Sequence, residues 1–365
     1  MKSVTTPGGL PGARPFRRAA LALLPLLAAC GGGGGGGTDS HLARYPQTTF
    51  RPASEMAEVQ MDLFNVTLWM GVAVGLLTFA AIGYIMLRYR YHPEAPEPKA
   101  VHGSTKLEIA WTLAPALIVA IIAVLTVRAI FITQPEPPEN ALTVRAIGKQ
   151  WWWEFRYGVP GGDTVVTANE IHVPVGTPVQ VLLETDNVLH SFWVPQMAGK
   201  RDMITNRVNR LIFTPREPGV YLGQCGEFCG ASHALMRMRL IAHTPEGYAQ
   251  WLENEQRPAL EPADSAGAVG LGKQLVTKGA CAGCHTIKGT PAIGRTAPNL
   301  THFGRRRTLA AGIMENNAEN LAAWVANAPA LKPGSLMPAF SGPGVAGALT
   351  PEQISYIVAY LQSLQ

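Results

Sequence analysis

Gly223-Gln-Cys225-Gly-Glu227-Phe-Cys229-Gly-Ala-Ser-His233-Ala-Leu-Met236 brings two cysteines, a histidine and a methionine together within 12 residues. Thiolate and thioether are soft ligands and, with imidazole, select copper over hard cations. Zinc sites take cysteines in close pairs without methionine, so Met236 argues against zinc. A single-copper blue site needs one cysteine, whereas two point to two metals sharing bridging thiolates. The alternative is a disulfide between Cys225 and Cys229 beside a packed histidine and methionine. The chain around this stretch reads as short β-rich runs at 141–147, 151–157, 170–173, 178–184, 210–214, 220–222 and 234–242. Several alternate apolar and polar residues, and their spacing predicts a β-sandwich or barrel. A short helix at Pro245–Glu255 closes it.

A second cysteine pair lies downstream. Cys281-Ala-Gly-Cys284-His285 is a C-x-x-C-H run, the attachment signature of a c-type haem. The two thiols add to the haem vinyls and the histidine reaches the iron. A thioredoxin-like dithiol has the same cysteine spacing but lacks this histidine and needs a βαβ setting. The region reads as helical. Its last helix begins at Thr350, with Pro351 first and Gln353 completing a capping box. Ile354, Ile357, Val358, Leu361 and Leu364 form one apolar stripe. Met337, in Pro333–Pro338 before that helix, is the expected sixth ligand, with Met314 and His302 as rivals. Methionine–histidine ligation is an electron-transfer arrangement. Arg305, Arg306 and Arg307 face haem propionates, an acidic neighbour or solvent.

The N-terminal third is membranous. Phe64–Leu87 and Ile109–Val127 are uncharged for 24 and 19 residues, the length a spanning helix needs. Arg88, Arg90, Lys99 and Lys106 place the intervening loop in the cytoplasm. The hairpin therefore leaves everything from about Gln134 onward on the export side. Pro115 predicts a kink in the second helix. Arg14, Arg17 and Arg18 precede the apolar run Ala19–Ala29, as in a signal peptide. Leu27-Ala28-Ala29-Cys30 resembles a bacterial lipobox, which implies a lipid on Cys30. The seven glycines after it form a flexible tether.

Composition agrees with a mixed object. The 365 residues suggest two or three domains, and charged residues make up only 15%, against about 25% in soluble proteins. The net charge of +5 owes four charges to the first 29 residues, so it is no sign of nucleic-acid binding. Residues 134–261 carry net −3 and residues 262–365 net +4. Opposite fields favour docking of the two domains, weakened by salt.

The quoted stretch, with His190 upstream in Val188–Phe192, closely resembles the CuA motif of cytochrome c oxidase subunit II. The resemblance implies that Cys225 and Cys229 bridge two coppers, completed by His190, His233, Met236 and the Glu227 carbonyl. It directs the Glu227 side chain to a magnesium shared with subunit I. Gly148–Tyr157 resembles the family's aromatic stretch, which makes Trp151 a candidate point where electrons enter. Glu108, ahead of Trp111–Pro115, matches a glutamate at a proton-channel mouth, and equally reads as a solvated flank.

Hairpin, copper domain and cytochrome occur in this order in subunit II of caa-type oxidases. The implied architecture is a multidomain membrane protein. Residues 1–29 are the signal peptide and 30–60 the lipidated tether. Residues 61–133 are a two-helix transmembrane hairpin, with helices at about 64–87 and 109–132. An all-β cupredoxin-like CuA domain spans 134–258, a linker 259–268 and an all-α cytochrome c domain 269–365. The implied partners are subunit I, with haem a and CuB, and subunit III. Cytochrome c or a cytochrome bc complex is the implied reductant, in a bacterial inner membrane with the soluble domains outside. The rival readings are the CuA subunit of a nitric oxide reductase and a stand-alone electron carrier.

Overall fold

The computed structural model describes residues 47–94, 96–97, 99–100, 102–260 and 266–365. The leader, Cys30 and part of the second linker lie outside these residues. Two helices, α1 (Glu55–Arg88) and α2 (Thr105–Ile132), carry the apolar runs. Their spanning windows present no buried residues, as lipid-facing helices would. α2 continues through Pro115.

α1 begins nine residues before the uncharged run. Ser54 caps it by accepting from the Ala57 N–H at 3.2 Å, while its hydroxyl donates to the Met197 carbonyl. Glu55 accepts from the Thr214 N–H and hydroxyl at 3.1 and 3.0 Å. Glu58 pairs with Arg216. The first two turns are thus held by the β-domain, through these polar contacts and through Met56, which is buried in its core.

That domain is a sandwich of two five-stranded sheets. One has the order β3 (Val165–Ala168), β2 (Trp152–Tyr157), β1 (Leu142–Lys149), β5 (Val179–Thr185), β8 (Asn209–Phe213). The other runs β4 (Glu170–Pro174), β10 (Arg237–His243), β9 (Gly219–Cys225), β6 (His190–Trp193), β7 (Arg201–Met203). The β1–β5 and β4–β10 pairs are parallel and the others antiparallel. Trp153, Phe155, Tyr157, Val181, Phe192 and Tyr221 fill the space between the sheets. Sequence reading missed β3, β6 and β7, whose four residues or fewer show no usable alternation. The expected run 234–242 becomes a strand only at Arg237, because His233–Leu235 form a 3₁₀ turn. Helix α3 (Pro245–Gln256) closes the domain.

The C-terminal domain holds α4 (Ala268–Lys278), α5 (Ala318–Leu331) and α6 (Pro351–Ser363), with a two-residue ribbon β11 (Thr308–Leu309)/β12 (Met314–Glu315). The capping box at Thr350 and Gln353 is present, and α6 buries Ile354, Ile357, Val358 and Leu361. α5 breaks at Asn327, just before Pro329. Asn327 then pairs with Ala339, folding the loop that carries Met337 back across the domain.

Candidate metal centres

Three separate segments build the first centre. β6, between β9 and the edge strand β7, begins with His190, β9 delivers Cys225, and the loop and 3₁₀ turn after it return Cys229, His233 and Met236. Cys225 Sγ lies 3.8 Å from Cys229 Sγ, far beyond the ~2.05 Å of a disulfide, so the disulfide alternative does not hold. His190 Nδ1 stands 3.8 Å from Cys225 Sγ, and His233 Nδ1 stands 3.6 Å from Cys229 Sγ. The Met236 thioether lies 3.8 Å from Cys229 Sγ, and the Glu227 carbonyl oxygen 3.2 Å from Cys225 Sγ. These separations suit donor atoms that share metals at about 2.0–2.3 Å each. Each sulfur has one imidazole of its own, so the set has the near-symmetry of a two-metal, thiolate-bridged site.

The surroundings fix these donors. His190 is fully buried, and its Nε2 faces Asn187 Oδ1 at 3.2 Å, which leaves Nδ1 for a metal. A β-carbon on Gly148 would lie 2.8 Å from the His190 ring, so β1 must lack a side chain there. Without metal, the hydrogen bond from Cys229 pulls the Cys225 thiol well below the usual thiol range, helped by His190. The same interaction, with burial, pushes Cys229 up. Bound cations relieve this conflict, because a coordinating thiol is deprotonated outright.

The second centre is a cavity of about 280 Å³ formed by the C-terminal domain and closed by Gln150, Trp151, Trp152 and Asn169 of the sandwich. Cys281, Cys284 and His285 lie in its wall with Met337, among Leu300, Phe303, Trp324 and Phe340. Both cysteines are free thiols. His285 Nδ1 donates to the Pro298 carbonyl at 2.7 Å, which assigns its proton and leaves Nε2 as the free donor. Burial holds this imidazole neutral by lowering its pKa. An apolar slot with two thiols, one poised imidazole and one thioether fits a covalently held haem. The rivals of Met337 are elsewhere: Met314 pairs with Leu309 in the ribbon, and both ring nitrogens of His302 face backbone carbonyls.

Trp151 joins the two centres. Its indole N–H donates to the Cys229 carbonyl at 3.0 Å, and the residue lies in the wall of the second cavity. Gln150 donates to the same carbonyl at 2.8 Å. A β-carbon on Gly334 would lie 2.6 Å from the Trp151 ring, so the loop before Met337 rests directly on the indole. Trp153 lies in the sandwich core instead, and Trp152 stacks under Lys149.

The domain contact is mostly buried hydrogen bonding. Glu170 Oε1 accepts from Arg307 N, Thr308 N and Thr308 Oγ1 at 2.9, 2.8 and 3.0 Å. The Ser232 hydroxyl donates to the Pro333 carbonyl at 2.5 Å, and Arg237 N to Ala311 O at 3.0 Å. Among the described residues one ion pair crosses, Lys288–Asp163 at 3.0 Å. The acidic-to-basic attraction expected from the sequence acts mainly through buried groups, with Glu170 and Glu255 of the copper domain facing Arg306. Glu227 pairs through its carboxylate with Lys200 at 3.1 Å. Glu108 is exposed in the first turn of α2. Sequence reading missed Gly148, Ser232, Gly334 and Lys332, which carry no motif.

Known proteins match the chain along most of its length. Residues 44–128 match the family profile of the transmembrane domain of cytochrome c oxidase subunit II, and residues 160–242 that of its periplasmic domain. Residues 269–365 match the cytochrome c profile. Cytochrome c oxidase subunit 2 of Alkalihalophilus pseudofirmus is 35% identical over 324 residues, covering 87% of this chain and 91% of that protein. The Bacillus subtilis protein of the same name is 32% identical, covering 87% and 92%. The crystal structure of the periplasmic domain of cytochrome oxidase subunit II from Bradyrhizobium japonicum is 30% identical. It covers 33% of this chain and 96% of that one, with a TM-score of 0.31. The subunit II and cytochrome c profiles imply CuA copper and haem c. The chain belongs to the cytochrome c oxidase subunit II family, in the form that carries a C-terminal cytochrome c domain.

Proposed function

We propose that this chain receives electrons for a respiratory terminal oxidase of the caa type, in a bacterial inner membrane, with its soluble domains on the outer side. In this reading Cys281 and Cys284 bind haem c, with His285 and Met337 as axial ligands. His190, Cys225, Cys229, His233, Met236 and the Glu227 carbonyl hold CuA. When bound, these groups supply one-electron exchange, passing electrons to haem a and CuB of subunit I, where dioxygen becomes water. The chain's own residues set the route. The observation that carries the reading is Trp151, which touches the Cys229 carbonyl on one side and the haem cavity on the other.

The same contact covers Trp151 with the Gly334 loop. An external reductant, a cytochrome c or a cytochrome bc complex, accordingly delivers to the cytochrome domain. Subunit III, a proton-translocating complex, Glu108 at a proton-channel mouth, and the leader with a lipid on Cys30 belong to the same proposal. A magnesium ion bound through Glu227 would displace the Lys200 ammonium that now holds that carboxylate. The rival readings are not favoured, since relatives matching most of the chain are named for cytochrome c oxidase.

Purification of the chain from membranes in mild detergent tests the proposal. A co-purifying subunit with haem a, together with oxygen uptake, is the expected result. Nitric oxide consumption without oxygen uptake, or all membrane-bound activity residing in this chain alone, overturns it.

A further inference from the structure

Lys332 lies just past α5 and is only 4% exposed. Its ammonium donates to the Trp151 carbonyl at 2.6 Å and to the Ala310 carbonyl at 3.0 Å. Both partners are neutral, and one sits on each domain. The same side chain lies in the wall of the haem cavity. The residue it grips donates in turn to the Cys229 carbonyl. A desolvated cation without a carboxylate is costly, and a methionine of similar length would fill the space at less cost. Burial pushes this ammonium down to about 7, with the neighbouring Cys229 sulfur acting against it. A lysine here needs a reason beyond filling space.

We propose that Lys332 is a positioning residue for haem-to-copper electron transfer: its ammonium latches the cytochrome loop onto Trp151 and raises the electron affinity of both metal centres. The inference rests on the metal assignments of the preceding section. The step it serves moves one electron from ferrous haem, left ferric, to the copper pair, reduced by one, with no proton transferred. A positive charge on Lys332 in this water-poor interface favours the state with one more electron, because Coulomb attraction is weakly screened there. Hydrogen bonds to one carbonyl on each side hold the indole against the Gly334 loop.

The test uses the full chain in its assembled complex. Lys332→Met removes the charge and both donors while keeping the length. Lys332→Arg keeps the charge. The readouts are the midpoint potentials of the haem and copper centres and the transfer rate after flash reduction of the haem. In Lys332→Met the haem one-electron equilibrium is expected to shift about tenfold toward oxidised, about 59 mV. Transfer should slow by about tenfold or more. Lys332→Arg should restore the potentials. Unchanged midpoints in Lys332→Met overturn the proposal, whatever the rate. If that variant does not load its metals, Lys332→Gln carries the same test, and unchanged midpoints there overturn it. The oxidase reading fails separately, through absence of haem a and oxygen uptake in the wild-type complex.

Discussion

At Gly148 the missing side chain decides whether His190 can face Cys225. A methyl group there would meet the His190 ring at 2.8 Å, and His190 is fully buried with nowhere to retreat. Overpacking of this kind costs about 1–3 kcal/mol. Gly148→Ala is therefore expected to lower copper content per chain and broaden the copper EPR signal, measured against unchanged haem absorbance. Trp151→Phe keeps an aromatic ring but loses the N–H that holds the Cys229 carbonyl. Slower haem-to-copper transfer with normal loading of both centres is the expected outcome, read by flash photolysis. The side chains of the two candidate centres were legible because they come in short runs of fixed spacing, and His190 through its resemblance. Gly148 and Lys332 were not, because each acts on a residue 42 or 181 positions away and leaves no local pattern.

Among the elements, α6 was the most legible. Its capping box satisfies backbone groups through residues three apart, which a sequence displays directly. Thr350→Ala should destabilise the cytochrome domain by about 1 kcal/mol, seen as an earlier loss of haem-region absorbance in thermal melts. α1 was legible only in its lipid-facing part. Its first turns are helical because Ser54 caps them and Glu55 reaches Thr214. β6 escaped notice for a different reason: it has four residues, one of them a histidine that faces the Cys225 thiol. Where a strand serves a site, its pattern reports the site and not the sheet.

Across the whole molecule, the two redox domains meet through a buried polar seam. Besides the Glu170 clamp, it holds a cavity bordered by His172, His243, Glu255, Arg305, Arg306 and Arg307. His172 Nδ1 faces His243 Nε2 at 2.8 Å, and the two rings stack with Trp251. Burial, with Arg307 nearby, pushes His243 down to about 4. A base whose pKa is lowered on folding stabilises the fold fully above its unfolded pKa of about 6.5. That contribution is lost as the pH falls from there toward 4. Glu170, raised by burial, works in the opposite sense just above its ordinary value. The melting temperature is accordingly expected to fall between pH 6.5 and pH 4, with a shallower slope in His243→Asn, measured by calorimetry. Salt should change the docking little, since a single exposed ion pair crosses the seam among the described residues.

The contact between Gly334 and Trp151 makes the chain vulnerable in an unusual manner. Gly334 has φ +80°, and any β-carbon there would strike the indole. A larger residue at this one glycine would prise the loop that carries Met337 off the indole. The lesion would show itself in time, as a delay between the two reporters.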